Sequence, residues 1–340
     1  MKMIIGHQRI WQFLIKSVES NRIAHAYLFV GSSGIGKKKI AIEFVKLLQC
    51  QNRQNSSGAS APCQECRNCL LIERNQHPDV LLIEPNQEGL SINEEGQELS
   101  GKPVKTQEIK IEQIRSLQHQ ISLSPYSGKH KIVIIDSAEQ MTQEAANCLL
   151  KTLEEPSQKS VLILISSDWH RLLPTIISRC QTIKFLPVKN ELVIKGLEDS
   201  GIKNRTKILQ AARFACGRPG VALKIINEPG FLTKNIQLVE ELEELIKKNL
   251  AERFKYAKDL AQNSSNATET LDQWVIWLRD QLLFKLGNEK LAVLERESFK
   301  NIFSIAKISE AVRNIQEAQK LLGDSSFNAR LILENLMLKI

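Results

Sequence analysis

Short apolar runs alternate with apolar positions at helical spacing over the first half of the chain, and the alternation stops near Pro187. The runs Tyr27–Val30, Val80–Ile83, Lys131–Ile135 and Val161–Ile165 have strand length, and a weaker one spans Gln181–Phe185. Between them, residues 10–18, 39–48, 111–121 and 143–153 place apolar side chains three and four apart, the signature of an amphipathic helix. Strands that alternate with helices in this way predict a mostly parallel sheet covered by helices, an α/β domain over residues 1–187. Two polar stretches interrupt it. One is Gln51–Ser60, rich in Gln, Asn and Ser; the other is Pro85–Pro103, which reads as a mobile surface loop.

Beyond Pro187 the strand pattern is gone. Residues 188–233 carry short helical patterns with Gly217-Arg218-Pro219-Gly220 among them, and 234–340 are nearly all helical. Three apolar stripes stand out there: Ile236, Val239, Leu242, Leu245 and Ile246; Trp274, Trp277, Leu278, Leu282 and Leu283; and Leu331, Leu333, Leu336 and Leu338. Stripes of this kind form a helical bundle core or a subunit interface.

Composition changes the picture little. The 340 residues allow two or three domains. No segment approaches the ~20 apolar residues of a membrane helix, and the opening residues turn polar too early for a signal peptide, so a cytoplasmic protein is expected. A net charge of +8 permits contact with nucleic acid or an acidic partner but demands neither. The seven cysteines are unevenly spread, four of them between Cys50 and Cys69, and a disulfide framework is not expected in a cytosolic chain of this size.

The candidate chemistry begins where the first strand ends. Gly31-Ser32-Ser33-Gly34-Ile35-Gly36-Lys37 completes the pattern G-x-x-x-x-G-K between a strand and a helix, the setting of a phosphate-binding loop. Its glycines let backbone N–H groups curl around phosphate oxygens at a helix N-terminus. The next residue of such loops is Ser or Thr, whose hydroxyl holds Mg²⁺; here it is Lys38. The strand 131–135 ends in Asp136, the carboxylate that elsewhere helps hold Mg²⁺. The position after it, a water-polarising Glu in many ATPases, is Ser137. ATP binding is therefore an open expectation, and hydrolysis with Mg²⁺ is not expected.

Cys63-x-x-Cys66-x-x-Cys69, with Cys50 at the end of the preceding helix, offers four soft ligands suited to tetrahedral, structural Zn²⁺. An iron–sulfur cluster is the competing metal, but the fourth downstream cysteine of ferredoxins is replaced by Leu70-Leu71-Ile72-Glu73. Ser178-Arg179-Cys180 follows the fourth strong strand; by spacing alone Arg179 is an ordinary surface arginine.

Several segments together resemble one family, the δ′ subunits of the bacterial DNA polymerase III clamp loader. These are Gly6-His7-Gln8, residues 21–29, the cysteine module through His77-Pro78-Asp79, residues 145–156 ending Leu-Glu-Glu-Pro, residues 175–180, Gly217–Gly220, and residues 328–334. The resemblance spans nearly the whole chain. It implies an AAA+ module with a zinc insert (about 50–69) over 1–187, a small helical lid over 188–233, and an all-α collar over 234–340. It implies partnership with δ and γ/τ subunits in a five-membered ring that loads the sliding clamp onto primed DNA, with no membrane contact. Within that ring it implies a stator role, with Arg179 acting as an arginine finger on a neighbour's ATP, and Gly31, Gly34, Gly36, Lys37, Lys38, Asp136 and Arg218 forming a degenerate nucleotide site. The run Leu149–Pro156 is shared with the motor subunits of the ring, so an ATP-hydrolysing motor is one alternative. A DNA-binding module built on the zinc insert is the other.

Overall fold

The computed structural model describes residues 4–56, 59–85, 108–157, 159–228, 230–262, 264–288, 292, 303–323 and 327–340. Nearly all of the predicted loop Pro85–Pro103 lies outside them. The described residues form two compact units, Met1–Ser200 with Gly217–Gly220, and Gly201–Cys216 with Val221–Ile340.

The first unit contains helices α1 (Gln8–Glu19), α2 (Lys37–Gln49), α3 (Arg67–Glu73), α4 (Ile111–Ser122), α5 (Gln143–Glu154), α6 (Pro174–Ile177) and α7 (Asn190–Asp199). Its strands are β1 (Ala26–Val30), β2 (Gln54–Ser56), β3 (Ala59–Ala61), β4 (Val80–Ile83), β5 (Lys131–Ile135), β6 (Ser160–Ser166) and β7 (Gln181–Lys184). Five of these form a parallel sheet in the order β4-β5-β6-β1-β7, while β2 and β3 make a small antiparallel hairpin. The sheet uses each expected strand to within a residue or so at its ends. The hairpin and α3 were not legible, because a three-residue strand and a seven-residue helix are too short to show a period.

The sheet is buried on both sides, which is why its central strands read as unbroken apolar runs. Alternate residues divide between two cores. Tyr27, Phe29, Ile132, Ile134 and Ile163 pack with Trp11, Leu14, Phe44 and Leu47 of α1 and α2. Leu28, Val30, Val133, Ile135 and Leu162 pack with Ile114, Leu117, Leu149 and Leu153 of α4 and α5. Helices on both faces leave one edge for chemistry, the carboxyl ends of the strands. The loop after β1, Glu84 after β4, Asp136 after β5 and Ser167 after β6 all lie at such ends.

The second unit is helical: α8 (Arg205–Ala215), the remainder of α9 (Pro219–Asn227), α10 (Phe231–Leu245), α11 (Leu250–Ala261), α12 (Ser264–Lys285), α13 (Ile305–Leu322) and α14 (Ala329–Lys339). Val239, Leu242, Trp274, Trp277, Ile308, Ile315, Leu333 and Leu336 share its core. The third predicted stripe is corrected here, since Leu331 and Leu338 are exposed at 63% and 59%. Each is two residues from a buried leucine, about 200° around a helix, so it faces away, and Met337 completes the buried face instead. Among the described residues no helix is long and apolar enough to cross a membrane.

Candidate functional site

The loop Gly31–Lys38 turns directly from β1 into α2. Gly36 caps α2 with φ at 109°, a conformation that a side chain would strain. The loop is braced from two sides. The His7 ring Nε2 lies 3.0 Å from the Ile35 carbonyl oxygen, and the Gly220 N–H donates to the Gly34 carbonyl at 2.7 Å. A Cβ at Gly220 would fall 2.7 Å from that same oxygen, so only glycine fits there. Gly217-Arg218-Pro219-Gly220 is thereby brought against the phosphate loop, with Arg218 half-buried.

Lys37 is buried and its Nζ donates to the carbonyl oxygens of Gly31 and Ser32, the latter at 2.9 Å. Burial pushes its ammonium below the usual lysine range, while Glu139 and Asp136 act in the opposite sense. Lys38 points to the ends of β4 and β5. Its Nζ donates to Glu84 Oε1 and lies 3.2 Å from Asp136 Oδ2. Burial works against its charge, but hydrogen bonds and attraction to Glu84 and Asp136 outweigh burial and raise its pKa. An ammonium thus occupies the carboxylate that a phosphate-loop protein uses for Mg²⁺. The residues present do not fit that metal, because Lys38 offers no lone pair and repels a cation.

The Glu139 carboxylate does not replace the missing Glu at position 137. It is buried, and Oε1 accepts from the Ser167 backbone N–H at 3.0 Å and from the Ser167 hydroxyl. Ser137 itself is in the left-handed region, φ 56°, with its N–H donating to Asp136 Oδ1 at 3.0 Å.

Cys50, Cys63, Cys66 and Cys69 converge, with all four sulfurs within 4.8 Å of one another. Cys50 Sγ lies 3.5 Å from Cys63 Sγ and 4.0 Å from Cys66 Sγ. Tetrahedral Zn–S bonds of ~2.3 Å require S···S separations of about 3.8 Å, so the donor set fits. Burial works against the Cys66 thiolate, yet N–H donors from Cys69 and Gln51 bring its thiol down to about 6. Burial instead pushes the Cys50 and Cys69 thiols up, a cost that a bound divalent cation would offset.

The cysteine module is tied to the sheet through groups that spacing did not reveal. Buried Lys46 of α2 pairs with Glu43 at 3.1 Å and with Glu73 of α3, and also donates to Gln64 Oε1 at 2.9 Å. Asn68 Nδ2 donates to the Gln49 carbonyl at 2.9 Å, and Gln49 Oε1 accepts from the Lys129 N–H at 2.8 Å. Asp79 accepts the backbone N–H groups of Tyr126, Ser127 and Gly128, each at 2.7 Å, and pairs with Lys131 at 3.0 Å. These bonds hold the turn that feeds β5, the strand that leads into Asp136.

Arg179 sits after the short α6. Its Nη2 lies 2.8 Å from Glu154 Oε1, and its Nη1 donates to the Thr175 carbonyl at 3.0 Å. The Arg179 side chain is 36% exposed, held at the surface.

The glycine loop between β1 and α2, the carboxylate after β5 and the sheet order define a phosphate-loop module of the AAA+ class with its metal position altered. Residues 6–189 match the family model described as DNA polymerase III, delta subunit. The chain is 31% identical to the DNA polymerase III subunit δ′ of Bacillus subtilis, over 98% of this chain and 95% of that protein. It is also 31% identical to the δ′ subunit of Pseudomonas aeruginosa, over 97% and 96%. The τ subunit of B. subtilis is 24% identical over 92% of this chain and 54% of its own length. The chain belongs to the DNA polymerase III δ′ family.

Proposed function

We propose that this chain is the stator of a DNA polymerase III clamp loader, a subunit that assembles with δ and γ/τ partners and does not turn over ATP itself. Its ring would load the sliding clamp onto primed DNA, and Arg179 would complete the ATP site of an adjacent motor subunit. The observation that carries the reading is the Lys38–Asp136 ion pair at 3.2 Å. A site whose metal-holding carboxylate is neutralised by its own chain, and whose next residue is Ser137, lacks the means to polarise water.

Membership of the δ′ family supports the choice of partners. A surface-held guanidinium after β6 supports the arginine-finger role, since charge-stabilising arginines must reach outward to act on a second subunit. The four-cysteine cluster supports structural Zn²⁺, which would anchor α3 to the end of α2 without entering the chemistry. We keep the division into an AAA+ module (1–187), a lid (188–233) and a collar (234–340) as part of the same proposal.

Phosphate release measured on the isolated chain, and on the chain mixed with δ and γ/τ-type subunits, clamp and primed DNA, tests the reading. No release by the chain alone is expected. Turnover by the isolated chain, abolished by Lys37→Ala, would make it a motor subunit instead.

A further inference from the structure

Lys38 does more than remove a metal ligand. Its ammonium lies between two carboxylates from neighbouring strand ends, donating to Glu84 Oε1 and standing 3.2 Å from Asp136 Oδ2. Glu139 adds a third acidic group near Lys37. Without a cation these carboxylates would leave the mouth of the glycine loop strongly negative, the condition that Mg²⁺ ordinarily relieves. Here the relief is attached to the chain.

We propose that the loop binds the polyphosphate of a nucleotide without Mg²⁺, with the Lys38 ammonium standing in the place of the metal.

Three features carry this beyond the stator reading. The parts that cradle phosphate are intact: the glycine turn, the start of α2 and Lys37, which is 6% exposed and bonded to the loop's own carbonyl oxygens. An ammonium has three donors. Lys38 directs bonds at two carboxylates, which leaves a third donor for a phosphate oxygen, and Lys37 is in the same position relative to Gly31 and Ser32. Finally, a Mg²⁺–nucleotide complex entering the loop would bring its metal against the Lys38 ammonium, whereas a metal-free polyphosphate would bring that ammonium an opposite charge.

The test is anisotropy of a fluorescent N-methylanthraniloyl-ADP titrated with the full-length chain, in EDTA and in saturating Mg²⁺. Binding in EDTA is expected, with Mg²⁺ tightening it by less than about threefold. Absence of binding in EDTA, or a gain from Mg²⁺ of threefold or more, overturns the proposal. Lys38→Thr restores the metal-holding hydroxyl and is expected to gain about tenfold from Mg²⁺. Indifference of that variant to Mg²⁺ would remove Lys38 from the explanation. Lys38→Gln keeps an N–H donor and removes the charge, and it is expected to bind about tenfold more weakly in EDTA; unchanged binding overturns the proposal. None of these failures touches the stator reading, which is tested separately by phosphate release.

Discussion

Arg179 is bound to its own chain: its guanidinium meets the Glu154 carboxylate at 2.8 Å, joining the second residue past α6 to the last residue of α5. Both side chains are partly in water, at 36% and 50% exposure, so screening reduces the pair to a weak tether. A weak tether is one that a stronger partner can displace.

Arg179→Ala is therefore expected to leave the unfolding midpoint of the chain nearly unchanged, with a cost below about 1 kcal/mol. ATP hydrolysis by a reconstituted loader is expected to fall by about a hundredfold or more. A steady-state ATPase assay with wild-type and variant chains in otherwise identical mixtures reads this out. Equal rates would exclude Arg179 from the neighbour's site.

The cysteine cluster predicts one Zn²⁺ per chain by elemental analysis. Cys66→Ser is expected to lose the metal and to melt at a lower temperature, because a half-built donor set leaves buried thiols without a counter-charge. Iron in the wild-type protein, or no metal, would overturn the assignment.

Asp79 predicts a pH dependence. Burial raises its pKa, but the N–H groups of Tyr126, Ser127 and Gly128 and the Lys131 ammonium outweigh burial and hold the carboxyl well below the usual range. A depressed folded pKa gives stability that is complete above the unfolded value of about 4 and lost as pH falls towards the folded value. Asp79→Ala is expected to cost about 3 kcal/mol at neutral pH. In urea unfolding, the gap between variant and wild type should narrow below pH ~4. A gap that stays constant down to pH ~3 would show that the carboxylate charge is not what holds the turn.

Gly220→Ala places a methyl group 2.7 Å from the Gly34 carbonyl oxygen. The backbone of the phosphate loop would have to shift, with loss of the Gly220 N–H bond and about 1–3 kcal/mol of stability. Nucleotide affinity and thermal melting should both decline; an unaffected melting curve would mean that the 217–220 segment does not brace the loop.

Much of this was written along the chain. The parallel strands are legible because both faces of each are buried, so they appear as continuous apolar runs such as Ile132–Ile135. The phosphate loop and the cysteine spacing are local patterns whose chemistry needs neighbours in sequence. The family was legible for the same reason, since its motifs are short and contiguous. The reach of the third leucine stripe was misread because Leu331 and Leu338 are apolar yet lie on the solvent side of α14.

What the tertiary structure alone decided is the partner of each charged group. Sequence showed that Lys38 had replaced a hydroxyl; only the sheet order brings Glu84 and Asp136 to it, from two other strands. In the same way Asp79 meets a turn 47 to 49 residues away, and Gly220 meets Gly34. Parallel strands gather their carboxyl ends at one edge of the sheet through long crossovers, so residues distant in the chain become neighbours there. Residue type and spacing determined which groups this protein carries, and the crossover geometry determined that an ammonium stands where the metal would be held.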